Sequence, residues 1–179
     1  MAIVATSYEC THKEACNRIA RWLQGTAGCA VVMTERVTRV SETPDAIGWK
    51  SDGTSILVEC KVSRSDFHAD KAKSFRRYED SGVGLLRYYA APRGILTPED
   101  MPEGWGLLEL SEHLVRVKKH PDAKQANKAA EVSMLVSAIR RLELAATVFV
   151  RHEEPQQSPN HQMTGAPRPV DQALGNDNT

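Results

Sequence analysis

Residues 43–61, TPDAIGWKSDGTSILVECK, leave this chain few folding options. They read as two short strands joined by a turn. The first, residues 45–50, carries apolar Ala46, Ile47 and Trp49 between polar ends. The second, residues 55–62, alternates: Ile56, Val58, Cys60 and Val62 fall on one face, Leu57, Glu59 and Lys61 on the other. Ser51-Asp52-Gly53 between them is a hairpin signal, with Gly53 able to take positive φ. With three residues in the loop, paired residue numbers sum to 104 and Asp45 faces Glu59. A two-residue Asp52-Gly53 loop would shift the pairing by one. Directly opposed residues hold their Cβ atoms roughly 4.5–5.5 Å apart, and Lys61 shares the face of Glu59.

Two carboxylates pressed together on a half-buried sheet repel each other, so a proton, a cation or solvent must offset the repulsion. Hard oxygen ligands at this spacing suit Mg²⁺ or Mn²⁺, with the Cys60 backbone carbonyl as a third protein donor. Lys61 then orients a water or stabilises charge developing on a phosphate. A cross-strand ion pair between Lys61 and Asp45 or Glu59 is the purely structural alternative.

Pro44-Asp45, followed by Glu59-Cys60-Lys61 at the end of a short strand, resembles the signature of the PD-(D/E)XK nuclease superfamily. The runs VECKVSRSDFHADK, LRYYAAPRG and GWGLLEL look like the small MmcB-like and phage-encoded members of that superfamily. The resemblance covers about residues 8–120. It implies an α/β fold of the restriction-endonuclease type, a mixed central sheet flanked by helices. It implies metal-dependent phosphodiester hydrolysis, with Asp45 and Glu59 as metal ligands and Lys61 as the catalytic lysine. It also implies an acidic residue of the first helix near the metal, for which Glu14 is the candidate.

Residues 9–24 read as that helix, with Thr11 as N-cap and Glu14 completing a capping box. Ala15, Ile19, Trp22 and Leu23 give its apolar stripe, and Gly25 and Gly28 end it. Completing the cap is the alternative role of Glu14. His12 and Cys16, four apart, have a spacing that can share a metal. With Cys10 and Cys29 they invite a zinc reading, but a paired Cys-x-x-Cys is missing and small buried cysteines explain them more simply.

Residues 29–34, CAVVMT, form a strongly apolar strand. Glu35 and Glu42, which follow it, are further acidic residues to weigh as metal ligands or as plain surface charge. After Lys61, Ser65 is a good N-cap for a helix running to about residue 80, with Gly82 and Gly84 as stops. From Lys61 to Arg77, six basic residues (Lys61, Arg64, Lys71, Lys73, Arg76 and Arg77) face only Asp66 and Asp70, a local net of about +4 with histidine neutral. Beside a carboxylate–metal site, Arg64, Lys71, Lys73, Arg76 and Arg77 read as a phosphate-backbone patch.

Residues 85–91 read as a buried strand with Tyr88 and Tyr89 on opposite faces, for which core packing is the expected role. Residues 105–110 and 114–118 form two further strands, a hairpin around Ser111-Glu112-His113 added at the sheet edge. Pro121 starts a long C-terminal helix to about residue 147, with Val132, Leu135, Val136, Ile139 and Leu142 as its apolar face. That helix covers the sheet or pairs with a second copy in a homodimer.

Residues 1–150 read as one nuclease-like domain, and residues 151–179, polar and rich in Pro, Gln and Asn, as a disordered tail. Across the chain 23 basic residues balance 23 acidic ones, so any nucleic-acid contact must come from a local patch. Four cysteines and no signal-peptide pattern in residues 1–5 point to reduced thiols in the cytoplasm of a bacterial or phage-infected cell. No apolar run is long enough to span a bilayer. The expected function is metal-dependent cleavage of nucleic acid, taken to be DNA, in repair, recombination or phage DNA metabolism. The alternative is a non-catalytic nucleic-acid- or protein-binding module on the same scaffold.

Overall fold

The computed structural model describes residues 8–34, 43–71, 82–140 and 149–150. The expected tail, Glu35, Glu42, Lys73, Arg76, Arg77 and Leu142 all lie outside them.

The first helix, α1 (His12–Gly25), starts as its sequence dictates. Thr11 accepts the Glu14 N–H, and the Glu14 carboxylate accepts from the Thr11 N–H and hydroxyl at 2.8 and 2.9 Å. Strands β1 (Val31–Thr34), β2 (Ala46–Trp49) and β3 (Ser55–Cys60) form an antiparallel meander. The β2–β3 ladder pairs Ala46 with Val58 and Ile47 with Leu57, the register expected for a three-residue loop. The turn closes through Gly53 N–H to Lys50 O, and Gly53 sits at φ 82°, a conformation that glycine adopts without strain.

Helix α2 (Arg64–Lys71) then crosses back, and β4 (Leu86–Pro92) and β5 (Trp105–Leu110) add in parallel to β3. Ser63, not Ser65, caps α2: its hydroxyl accepts the Asp66 N–H at 3.2 Å. Strand β6 (Val115–Lys119) returns antiparallel as an edge hairpin, closed by Ser111 N–H to Leu114 O. Helix α3 (Lys128–Arg140) and a short β7 (Phe149–Val150) complete a seven-stranded mixed sheet of order β6-β5-β4-β3-β2-β1-β7.

The sheet divides two cores. On one side α1 packs Ile19, Trp22 and Leu23 on Ile56, Val58, Tyr88 and Leu108. On the other, Phe67 of α2 and Ala130, Met134 and Ala138 of α3 pack on Ile47, Leu57, Tyr89 and Leu107. Tyr88 and Tyr89 thus bury on opposite faces, as strand alternation requires. Tyr89 stacks on Trp105 and meets Phe67 edge-on.

Helix α3 departs from its expected form twice. Residues 121–127 are irregular rather than helical, with N–H groups docked on distant carbonyls: Asp122 on Gly104, Lys124 on Leu85, Asn127 on Gly82. Asn127 then caps the helix through the Ala130 N–H. The buried stripe is Ala130, Glu131, Met134 and Ala138, while Val132, Val136 and Ile139 are 57%, 49% and 66% exposed. Glu131 faces inward to meet its partners on Trp49, Ser55 and Gly84.

Among the described residues, no helix is long and apolar enough to cross a membrane.

Candidate carboxylate–lysine site

The candidate site lies where β2 begins and β3 ends. Glu59 and Lys61 follow Leu57 on the α2 face of the sheet, and both are almost wholly buried, at 3% and 4% exposure. The Lys61 backbone stays tied to the sheet through its N–H to Ala90 O at 2.8 Å. Its ammonium lies 3.5 Å from Glu59 Oε2 and 3.4 Å from Asp70 Oδ1. Asp70 comes from α2, one turn after Phe67, and Tyr89 fixes it by donating its hydroxyl to Oδ2 at 2.8 Å. Burial pushes the Lys61 pKa down, but the charges of Glu59, Asp70, Asp45 and Asp66 outweigh it and raise the group above its ordinary value. Lys61 is therefore an ammonium at neutral pH.

Asp45 sits in a bend just before β2 rather than in the ladder. Its Oδ2 accepts the Cys60 N–H at 2.8 Å. β2 begins only at Ala46, beyond Pro44 and the Asp45 bend, and the Asp45 carboxylate supplies the acceptor for the Cys60 N–H. Asp45 and Glu59 thus flank the Cys60 peptide, Glu59 on the α2 side and Asp45 reaching towards α1. There Oδ2 lies 3.3 Å from His12 Nε2. His12 in turn touches Cys16 Sγ through Nδ1 at 3.6 Å and Nε2 at 3.9 Å. Cys60 shares the α1-side core with Cys16, and the neighbouring thiol together with burial holds the Cys60 pKa well above the ordinary value.

Glu14 is taken up by the Thr11 cap, so the α1 residue that meets Asp45 is His12. Hydrogen bonding to Thr11 lowers the Glu14 pKa. Among the basic residues, Arg64 is engaged by structure: its guanidinium grips both Asp100 oxygens at 3.1 and 2.6 Å and donates to Ile95 O. That grip lowers the Asp100 pKa to about 2. Of Lys71 only the backbone is described. Cys29 packs away from His12 and Cys16, its sulfur beside Gly48, so the four-residue set Cys10, His12, Cys16 and Cys29 does not assemble as one cluster.

Two residues of this region carry signals that the hairpin motif alone does not convey. Asp70, three residues after a core phenylalanine, shares its buried helix face. His12, four residues before Cys16, shares its helix face, but the partner Asp45 is distant in sequence.

No protein-family model matches the chain, and no curated protein matches it. Among solved structures, the chain is similar to SPO1766, a protein of unknown function from Silicibacter pomeroyi. The likeness has 23% identity and a TM-score of 0.57, and it covers 76% of this chain and 92% of that one. It shows the shared fold. The class that fold and sheet topology define is a mixed α/β domain with a helix layer on each face.

Proposed function

We propose that the protein is a metal-dependent nuclease that hydrolyses phosphodiester bonds of DNA. Its setting would be repair, recombination or phage DNA metabolism in the cytoplasm of a bacterial or phage-infected cell. The observation that carries this reading is the buried Lys61 ammonium clamped by Glu59 and Asp70 at the carboxyl end of β3, with Asp45 across the Cys60 peptide. Burying charge costs several kcal/mol per ion unless pairing repays it. Such investments cluster at functional sites.

By type the donors suit a hard cation, since the Asp45 and Glu59 carboxylates and the Cys60 carbonyl are all oxygen, and holding one ion between them would turn Asp45 from His12 towards the Glu59 side. Mg²⁺ or Mn²⁺ held there would supply charge stabilisation and an acidified water. Lys61, as an ammonium, is a poor proton acceptor. Its role is to stabilise negative charge building on the phosphate and to orient the attacking water. Asp70 and Tyr89 position it. Lys71, Lys73, Arg76 and Arg77 are the proposed phosphate contacts, and contacts of that kind carry no base preference.

The second reading is a non-catalytic nucleic-acid- or protein-binding module. The Glu59–Lys61–Asp70 cluster favours it, since Lys61 already pairs with both carboxylates inside the fold. Incubating the protein with linear, circular single-stranded, nicked and branched DNA and with RNA, in EDTA, Mg²⁺ or Mn²⁺, separates the two. Cleavage that needs metal and vanishes in Lys61→Ala supports the nuclease. No cleavage of any substrate, with binding indifferent to metal, supports the module.

A further inference from the structure

On the α1 side of the sheet, His12, Cys16 and Asp45 bring one imidazole nitrogen, one sulfur and one carboxylate oxygen within 4.8 Å of one another. We propose that these three residues form a zinc site, distinct in chemistry from the all-oxygen set at Glu59.

The spacing comes close to that of a first coordination shell. Zinc–ligand bonds of about 2.0–2.3 Å in a tetrahedron set ligand–ligand edges of roughly 3.3–3.7 Å. His12 Nε2 lies 3.3 Å from Asp45 Oδ2 and 3.9 Å from Cys16 Sγ, so only small shifts close the site on an ion. The donors select the metal: imidazole and thiolate suit Zn²⁺ and disfavour Mg²⁺. Charge also balances, since one thiolate and one carboxylate neutralise a divalent ion.

The fold builds the set from two layers. His12 and Cys16 are one helical turn apart and face the sheet together. Asp45 is aimed by the Cys60 N–H, and Cys60 and Cys16 lie in the same buried cluster. Outer partners of this kind orient ligands in metal sites. Three protein ligands leave the fourth position for water, and the His12 side chain, 41% exposed, gives a path from solvent. On binding, the Cys16 S–H bond breaks and a Zn–S bond forms, the proton going to solvent, while His12 binds as neutral imidazole. Asp45 is the residue at which this site and the proposed nuclease site meet, but the zinc site does not depend on the nuclease reading.

The test uses Co²⁺ as a spectroscopic stand-in, titrated into the reduced full-length chain without nucleic acid. The expected result is a thiolate-to-cobalt charge-transfer band saturating at one equivalent, accompanied by proton release and displaced by Zn²⁺. Cys16→Ser should abolish the band. His12 is half-exposed, so His12→Ala keeps the fold, and it should weaken Co²⁺ affinity beyond the ~10–100-fold that loss of an outer partner costs. Glu59→Gln should bind Co²⁺ as the wild type does. Absence of the band in the wild type overturns the proposal. So does a band that survives Cys16→Ser, or an affinity unchanged by His12→Ala.

Discussion

The Glu131 carboxylate accepts a 3.1 Å hydrogen bond from the Trp49 indole, joining residues 82 apart in sequence. The same carboxylate accepts from Ser55 Oγ at 2.7 Å, Gly84 N–H at 2.8 Å and Lys128 Nζ at 3.0 Å. Lys128 also reaches Gly53 O at the hairpin tip. One side chain of α3 thus ties the β2–β3 hairpin to the chain entering β4. Gly84 is held close there: a Cβ on it would meet Leu57 Cβ at 2.5 Å, with φ at 86°. Glu131→Ala strands three buried donors and should destabilise the fold by about 3–5 kcal/mol, read by urea unfolding. An effect under 1 kcal/mol would show that the network contributes little.

Glu131 also sets an acid dependence. Burial raises its pKa, but hydrogen bonds from Gly84, Ser55, Lys128 and Trp49 outweigh that and lower it. A lowered folded pKa gives stability that is present above the unfolded value of about 4.3 and lost as pH falls through the folded one. Unfolding midpoints measured from pH 7 downward should therefore drop more steeply in the wild type than in Glu131→Gln.

Much of this architecture follows from local rules visible in the sequence. The Thr11–Glu14 cap, the 51–53 loop and the alternation through Tyr88 and Tyr89 each depend on residues close along the chain. The loop length alone dictates the Ala46–Val58 register. What the sequence does not convey depends on distant partners. The face of α3 is one case. Val132, Leu135, Val136 and Ile139 have the helical spacing of a core stripe, yet of these Leu135 alone packs against the core, partly buried, and the sheet takes Ala130, Glu131, Met134 and Ala138. The decisive preference is that of Glu131 for donors on β2, β3 and the turn before β4. Asp45 is the other case: hairpin pairing sets it opposite Glu59, but the bend turns its carboxylate to the Cys60 N–H and His12.

The orientation of α3 can be checked directly. Met134→Ala should cost about 2–5 kcal/mol, as buried large-to-small changes do. Val136→Gln, on the exposed face, should fall within about 0.5 kcal/mol of the wild type. The opposite ranking in thermal or urea unfolding would restore the stripe of Val132, Leu135, Val136 and Ile139 as the buried face.

Asp45 holds a backbone N–H as well as its proposed metal role, and two substitutions separate these. Asp45→Ala leaves the Cys60 N–H without its acceptor and should cost about 1–3 kcal/mol of stability. Asp45→Asn keeps an oxygen for that N–H, so its stability should lie close to the wild type while metal-dependent cleavage is lost. A stable Asp45→Asn that still cleaves DNA at the wild-type rate would remove Asp45 from the reaction.

In the proposed reaction Asp70 would act through Lys61, and its effect would have a pH signature. The raised Lys61 pKa rests on several carboxylates, Asp70 second among them after Glu59. The ammonium form persists until pH rises through that raised value, and activity needing the charge is lost only above it. Asp70→Asn removes one supporting charge, so the Lys61 pKa falls and the alkaline limb of kcat should move to lower pH. It should also lower kcat at neutral pH with little change in KM, because Lys61 would lose its fixed position while the proposed phosphate contacts stay. Tyr89→Phe, which removes only the hydroxyl that holds Asp70, should shift the limb in the same direction by less. An alkaline limb unmoved in both variants would show that Asp70 serves packing alone.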